Sequence, residues 1–303
     1  EKIWLKHYPK GVPTEIQIDK CSSAVDLFAQ SIRKFGPLPA YTNMGTTLTF
    51  EEVDRLSAQF AGYLQGVLGL KQGDRIAIQM PNCLQFPVAM WGAMRAGLIV
   101  VNTNPLYTAR EMKHQFQDSG AVAIVIVANF ASHLQEIIKE TQIKHVIVTE
   151  LGDMLKFPKN HIVNFVVKNI KKMVPPYSLP QAESFIQALA KGKPHGLKKV
   201  VIKPDDIAFL QYTGGTTGVS KGAMLTQRNV MSNMEQIRSW MQPLMVEGKE
   251  MIVTPLPLYH IFSLVVNCMA FMAYGGHNLL ITNPKDIPGF LKEIRKYKFT
   301  VMS

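Results

Sequence analysis

The chain is most informative at Tyr212-Thr213-Gly214-Gly215-Thr216-Thr217-Gly218-Val219-Ser220-Lys221-Gly222. These eleven positions hold four glycines, four Thr and Ser hydroxyls and one lysine. Glycine lets a backbone curl tightly around a ligand, because no Cβ blocks the approach or forbids positive φ. A curled backbone turns several N–H groups inward, and such a nest attracts phosphate oxygens. The hydroxyls add donors, and Lys221 adds a compact charge suited to phosphate. The apolar lead-in Ile207-Ala208-Phe209-Leu210 predicts a strand that ends at the loop, where α/β sheets place their ligands. The spacing fits neither the Walker loop nor the Gly-x-Gly-x-x-Gly dinucleotide fingerprint. Composition alone also fits a glycine-rich surface loop.

Working outward, helices and strands alternate. Thr49-Phe50-Glu51-Glu52 reads as a capping box, followed at helical spacing by Val53, Leu56, Phe60, Leu64 and Val67. Residues 71–74 form a turn, and 75–80 alternate as a half-buried strand with Ile76, Ile78 and Met80 on one face. Pro81-Asn82 is expected to cap a helix over 84–96, which Gly97 ends. A strand over 98–101 leads into a loop at 104–108, where Thr108 is the N-cap of a helix over 109–118. Residues 121–127 are continuously apolar, as a parallel strand covered on both faces requires. A helix over 130–140 and a strand over 145–149 follow. This order predicts an α/β fold with a doubly wound sheet and right-handed crossovers. From about Gly152 prolines, among them Pro158, Pro175, Pro176, Pro180 and Pro194, interrupt the pattern, which resumes at Asp206.

Composition fits a globular enzyme piece. The 303 residues are 47% hydrophobic and 18% charged, enough for a sizeable core and more than one lobe. Cys21, Cys83 and Cys268 are widely spaced, which argues for a reducing compartment and against disulfides or structural zinc. The eight histidines form no His-Glu-x-x-His or similar ligand cluster, so any metal is expected to arrive as Mg²⁺ with a nucleotide. The first residues lack a secretory h-region, and the longest apolar runs, 121–128 and 261–274, are too short to span a bilayer. A cytoplasmic protein is expected, with 261–274 as a buried helix.

The net charge of +11 is uneven, because ten lysines between 151 and 203 face only Asp153 and Glu183. A solvated lysine face explains this patch. So does contact with anionic lipid, since residues 161–174 can form an amphipathic helix with Lys on one side and Ile, Val and Phe on the other. Nucleic acid is excluded as a partner, because arginines and stacking aromatics do not accompany the lysines.

The stretch at 212–222 resembles the signature phosphate loop of the adenylate-forming enzymes, which include acyl-CoA synthetases, luciferases and peptide-synthetase adenylation domains. Pro257-Leu258-Tyr259-His260-Ile261-Phe262 resembles the family's aromatic motif, and Asn104-Pro105-Leu106-Tyr107-Thr108 an earlier one. The wording around these motifs is most similar to bacterial long-chain fatty acid–CoA ligases, from Trp4 to the last residue. The resemblance implies ATP-dependent activation of a fatty acid to acyl-adenylate, then transfer to coenzyme A. It also implies that Tyr212, Thr213, Gly214, Gly215, Thr216, Thr217, Gly218, Val219, Ser220, Lys221 and Gly222 bind the nucleotide. Thr213, Thr216, Thr217 and Lys221 would grip its phosphates, and His260 would be catalytic at the carboxylate end of the acyl pocket. Without its motif, His260 reads as a partly buried core histidine; the Pro-Leu-Tyr around it reverses that reading. Tyr107 reads as packing in a structural loop.

The family's later motifs are absent: the Tyr-Gly-Leu-Thr-Glu segment whose glutamate holds Mg²⁺, the ribose-binding aspartate, and the C-terminal domain with its catalytic lysine. The expectation is therefore a truncated N-terminal AMP-binding domain, inactive as an isolated piece. One α/β lobe is expected near 70–200, and a second would combine the residues before 70 with those after 205. The expected partners are fatty acid, ATP and coenzyme A, with peripheral contact on anionic membrane; a homodimer is left open. Two alternatives stand beside this: a ligase for a medium-chain or aryl carboxylate, and a non-catalytic module that binds nucleotide or a lipid surface.

Overall fold

The computed structural model describes residues 2–17, 23–213 and 220–303. Helix α1 (Ala24–Phe35), strands β1 (Pro39–Asn43) and β2 (Thr46–Thr49), and helix α2 (Phe50–Gly62) come first. There follow β3 (Arg75–Gln79), α3 (Gln85–Arg95), β4 (Ile99–Asn102), α4 (Ala109–Ser119), β5 (Ala123–Val127), α5 (Ala131–Ile137) and β6 (His145–Thr149). Next are α6 (Lys159–Phe165), β7 (Ala182–Ser184), α7 (Phe185–Gly192), β8 (Ile207–Thr213), β9 (Lys221–Thr226) and α8 (Gln227–Met241). The last group is β10 (Met251–Thr254), α9 (Ile261–Ser263), α10 (Phe271–Ala273), β11 (His277–Leu280), α11 (Ile287–Ile294) and β12 (Val301–Met302).

The strands make two sheets. One has the order β7-β6-β5-β3-β4-β8-β9, parallel except for the β8–β9 pair; the other is β12-β10-β11-β1-β2, parallel except for β1–β2. Side chains alternate across each strand, so each sheet feeds two cores. In the seven-stranded sheet, Ile76, Ile78, Val100 and Val125 face one core. Ala77, Val101, Ile124 and Ile126 face the other, under Met112 and Phe116 of α4 and Leu134 of α5. In the five-stranded sheet, Tyr41 and Leu280 join that same first core, while Met251, Val253 and Leu279 pack with Phe290 and Ile294 of α11. The shared core lies between the sheets and holds α2, α3, α7 and the 264–273 helical run. Every residue of α3 from Gln85 to Met94 is buried, as befits a helix walled on all sides. Trp91 of α3 stacks on Phe28 of α1 with centroids 4.6 Å apart.

The division expected at 205 differs from the sheet topology. β8 pairs with β4 (Val100↔Phe209, Val101↔Leu210), so 207–226 extend the first sheet and the second resumes only at β10. The lead-in strand therefore pairs antiparallel with β9, with Thr213 and Lys221 facing each other at the two ends of the glycine-rich stretch. The capping box at Thr49 forms as expected: Thr49 N donates to Glu52 Oε2 (2.8 Å) and Glu52 N to Thr49 Oγ1 (3.2 Å). Val67, expected on the buried stripe, is exposed. α2 runs on into a π-helical turn at Tyr63–Val67, whose wider winding turns Val67 outward and buries Tyr63. The helix expected over 161–174 is α6 with a π-helical turn at Val166–Ile170. Val163 packs on the main core, but Ile162, Phe165, Ile170 and Met173 are exposed among the lysines.

Candidate functional site

A cavity of about 360 Å³ opens outside the carboxyl ends of β4 and β8, the usual ligand position of such sheets. Asn102, Asn104 and Tyr107 form one wall, Gln211 to Thr213 the second, and Tyr259, His260 and Ile261 the third. Three segments far apart in sequence thus converge. The 104–108 loop is both connector and wall: Thr108 caps α4 in a second capping box with Glu111, and Tyr107 faces the cavity. Burial raises the Tyr107 hydroxyl above its ordinary value, with Glu111 adding to the effect. Burial does the same for Tyr259, helped by Tyr107.

Gln211 and Tyr212 are neighbours on β8 and so point to opposite faces. The Gln211 amide Nε2 donates to the Tyr259 carbonyl (3.0 Å), and its Oε1 accepts from Asn102 Nδ2 (3.1 Å). The Asn102 carbonyl in turn accepts from Gln115 Nε2 of α4 (2.9 Å). Tyr212 is buried and its hydroxyl donates to Asp118 Oδ2 of α4 at 2.5 Å. Burial, then the bonded Asp118 carboxylate, push the Tyr212 pKa far up, so the hydroxyl stays protonated and donating. Opposite it sits Gly222, where a Cβ would lie 2.9 Å from two Tyr212 ring carbons. The site needs glycine because the ring occupies the side-chain space.

Thr213 pairs with Lys221 across the β8–β9 ladder, which brings the two ends of the glycine-rich loop together. Both are exposed, and His114 of α4 donates from Nε2 to the Ser220 carbonyl (2.9 Å). α4 thus braces each end of the loop, through Asp118 on one side and His114 on the other. Gly214, Gly215, Thr216, Thr217, Gly218 and Val219 lie outside the described residues. Tyr212, Thr213, Ser220, Lys221 and Gly222 are brought together in the hairpin, and Lys221 is not among the cavity-lining residues.

His260 stands exposed at the cavity mouth as the N-cap of α9, so it is not a core histidine. Its Nδ1 accepts from the Phe262 amide (3.4 Å), so in the neutral ring the proton lies on Nε2. The loop bearing it is held by Asn82, which the sequence suggested as a cap for α3. Instead the N-cap of α3 is Leu84, without a side-chain bond, and Asn82 is 2% exposed and turned toward the other sheet. Its Nδ2 donates to Thr254 O and Leu256 O (2.9 Å each), and its Oδ1 accepts from Leu258 N (2.8 Å). Asn82, Asn102, Gln211, His114 and Asp118 were not singled out as site residues from sequence. The one local sign was a carboxamide, Gln211, inside an otherwise apolar strand.

Among the described residues no group of three or more His, Cys, Asp or Glu is placed to hold a metal ion, so none is assigned to Mg²⁺. Cys83 and Cys268 are buried, and burial pushes each thiol up to about 12, which keeps them protonated and unreactive. No described helix is long and apolar enough to cross a membrane.

Residues 28–303 match the family of AMP-binding enzymes. The chain belongs to that family. This AMP-binding enzyme chain is 55% identical over its full length to a long-chain-fatty-acid–CoA ligase of Escherichia coli O6:H1 and 31% identical over 99% of its length to one of Bacillus subtilis. It covers 54% and 53% of those two proteins, so the chain spans about half the length of the curated relatives it matches. It is also 30% identical, over 90% of its length, to 4-coumarate–CoA ligase 1 of Petroselinum crispum, covering 45% of it. Among solved structures the fold matches an anthranilate CoA ligase bound to anthranoyl-AMP (TM-score 0.78, 17% identity, 95% of this chain and 51% of that one). It also matches a long-chain-fatty-acid-CoA ligase of Archaeoglobus fulgidus (TM-score 0.75, 20% identity, 97% and 53%).

Proposed function

We propose that the whole protein activates a long-chain fatty acid with ATP and joins it to coenzyme A. The observation that carries this is the convergence of the glycine-rich hairpin and the His260 loop on one cavity. A fatty acid carboxylate attacks the α-phosphorus of ATP, pyrophosphate leaves, and the coenzyme A thiolate then attacks the acyl carbon and releases AMP. The first step crowds anionic oxygens, so positioning and charge neutralisation dominate its catalysis. Lys221 and the hydroxyls of Thr213 and Ser220, with the remaining loop residues, bind the phosphates. His260 offers its Nε2 proton to the carboxylate or to the oxygen that becomes negative during attack. Mg²⁺, when bound, supplies further charge neutralisation at the phosphates.

The acyl preference rests on the greater identity to the long-chain ligases than to the coumarate ligase. Fatty-acid-dependent release of pyrophosphate by the full-length protein, measured across acyl lengths, tests it. A best substrate shorter than about eight carbons, where each methylene should be worth about 1–3 kcal/mol, would replace it with a medium-chain or aryl acid.

The same reading places the protein in the cytoplasm, in peripheral contact with the inner face of the cell membrane. In its support, Phe157 is 80% and Phe165 59% exposed, with Ile162 and Ile170, amid exposed Lys156, Lys159, Lys168, Lys171 and Lys172. Apolar side chains among lysines suit an anionic bilayer surface. Sedimentation of the full-length protein with anionic vesicles, but not with zwitterionic ones, is the expected outcome. Equal recovery in both supernatants would remove the membrane.

A further inference from the structure

The loop that presents His260 belongs by sequence to the second sheet, since it follows β10 directly, yet it is also fastened to the first. Asn82, in the loop after β3, uses both Nδ2 protons and its Oδ1 on Thr254, Leu256 and Leu258, alternate positions from the end of β10 into the loop. The Asn82 carbonyl also accepts from Thr282 Oγ1 (2.8 Å), just beyond β11. Gln211, at the end of β8, donates to the next carbonyl along, that of Tyr259. Both carboxamides are buried and spend these donors on backbone; the Thr254 carbonyl keeps Ile281 N (3.1 Å) as a second donor and Leu256 keeps Ser263 Oγ, so removing Asn82 costs the segment its tie to the first sheet rather than its carbonyls' last donor. The second sheet's own contribution at this segment includes Ser263 Oγ, which donates to Leu256 O (2.9 Å).

Resting on the reaction proposed above, we infer that Asn82 and Gln211 are positioning residues that lock the His260 loop onto the sheet carrying the phosphate loop. Neither needs to touch substrate. Their effect is to keep the acyl end and the phosphate end of the site as parts of one rigid body during attack on the α-phosphate. Near-attack geometry is demanding, and a displacement of about 1 Å can cost about 100-fold in rate. Because both residues restrain one loop, releasing either should forfeit much of the same alignment.

The test uses the full-length protein with Asn82→Asp and Gln211→Glu, each nearly isosteric and each replacing the donating amide by a carboxylate. Ser263→Ala removes a bond to the same Leu256 carbonyl from the loop's own side. Two measurements are made on folded variants: fatty-acid-dependent ATP–pyrophosphate exchange, and hydrogen–deuterium exchange of peptides covering 254–262. We expect turnover in the exchange reaction to fall about tenfold or more in each carboxylate variant, with the KM values for ATP and fatty acid within about threefold. The double variant should be far less impaired than the product of the two. Deuterium uptake over 254–262 should rise in both, while uptake over α4 stays unchanged. Ser263→Ala should keep wild-type turnover. Unchanged turnover with unchanged protection in Gln211→Glu overturns the inference, and that variant carries the test if Asn82→Asp does not fold. Loosening of 254–262 without loss of turnover also overturns it. If the wild-type protein shows no fatty-acid-dependent exchange, the proposed reaction fails; deuterium uptake then still reads whether the two carboxamides hold the loop.

Discussion

Gly222→Ala is a sharp test of how the β8–β9 pair is packed. Gly222 does not have positive φ, so its backbone would accept a side chain, and alanine within a strand should by itself be worth about 0.5–1 kcal/mol over glycine. The obstacle is the Tyr212 ring, with two carbons at 2.9 Å and the hydroxyl oxygen at 3.2 Å from where the Cβ would go. Ordinary carbon contacts need about 3.5 Å, so the ring must retreat by about 0.6 Å. The ring is buried, and its hydroxyl is held at 2.5 Å from Asp118 Oδ2, so it cannot retreat without loosening that bond. Overpacking of this kind costs about 1–3 kcal/mol, which outweighs the backbone gain. Urea unfolding of Gly222→Ala should therefore show a net loss of about 1–2 kcal/mol, with a raised KM for ATP because Tyr212 leads into the loop. In a Tyr212→Leu background the sign should reverse and the alanine should become neutral or stabilising, giving a coupling energy of about 1 kcal/mol or more in a double-mutant cycle. An alanine that is harmless beside the intact tyrosine would refute this account.

Lys221→Ala in the full-length protein should lower kcat/KM for ATP about 30-fold or more, about 2 kcal/mol of transition-state stabilisation, in a pyrophosphate-release assay; an unchanged rate would remove Lys221 from the phosphate site. His277, half-buried with a ring nitrogen 2.7 Å from Thr42 Oγ1, has its pKa lowered by desolvation to about 4. The unfolded chain takes up this proton first, so stability should be full above about pH 6.5 and fall as the pH drops toward 4, by an amount on the order of 3 kcal/mol. Chemical denaturation across that range should show a flatter profile in His277→Gln, and an identical slope would exclude His277 as the source. Thr108→Ala removes the capping box of α4 and should cost about 1 kcal/mol in thermal unfolding. Since α4 also carries His114 and Asp118, the KM for ATP should rise with it, and a purely thermal effect would show that the helix does not brace the loop.

What the sequence disclosed was local. The capping box at Thr49, the N-cap at Thr108, the apolar strand read at 121–127 and found over 123–127, and the buried helix behind His260 each depend on neighbours a few positions away. α7, over Phe185–Gly192, went unread although Ser184 caps it by accepting from Gln187 N, because the prolines around it masked the period. Asn82 shows the other kind of miss. After a proline and before a helix, an asparagine looks like a cap; its partners here are 172 to 176 positions away, and no periodicity registers them. The sheet boundary was misjudged for the same reason, since β8 joins its sheet through Val100 and Val101, a hundred residues earlier. Family resemblance pointed to His260 and the glycine-rich loop, but it did not reveal the carboxamides and the α4 side chains that hold them.

The helical layer common to both sheets has a consequence for modularity. With α3 buried from Gln85 to Met94 and one apolar core contacting both sheets, neither sheet keeps a closed interior without the other. Cutting the chain at the seam between its sheets should therefore expose that core, and neither half should fold as an autonomous module. Variation of such a fold should then fall at the loops around the cavity, which change without opening the shared core.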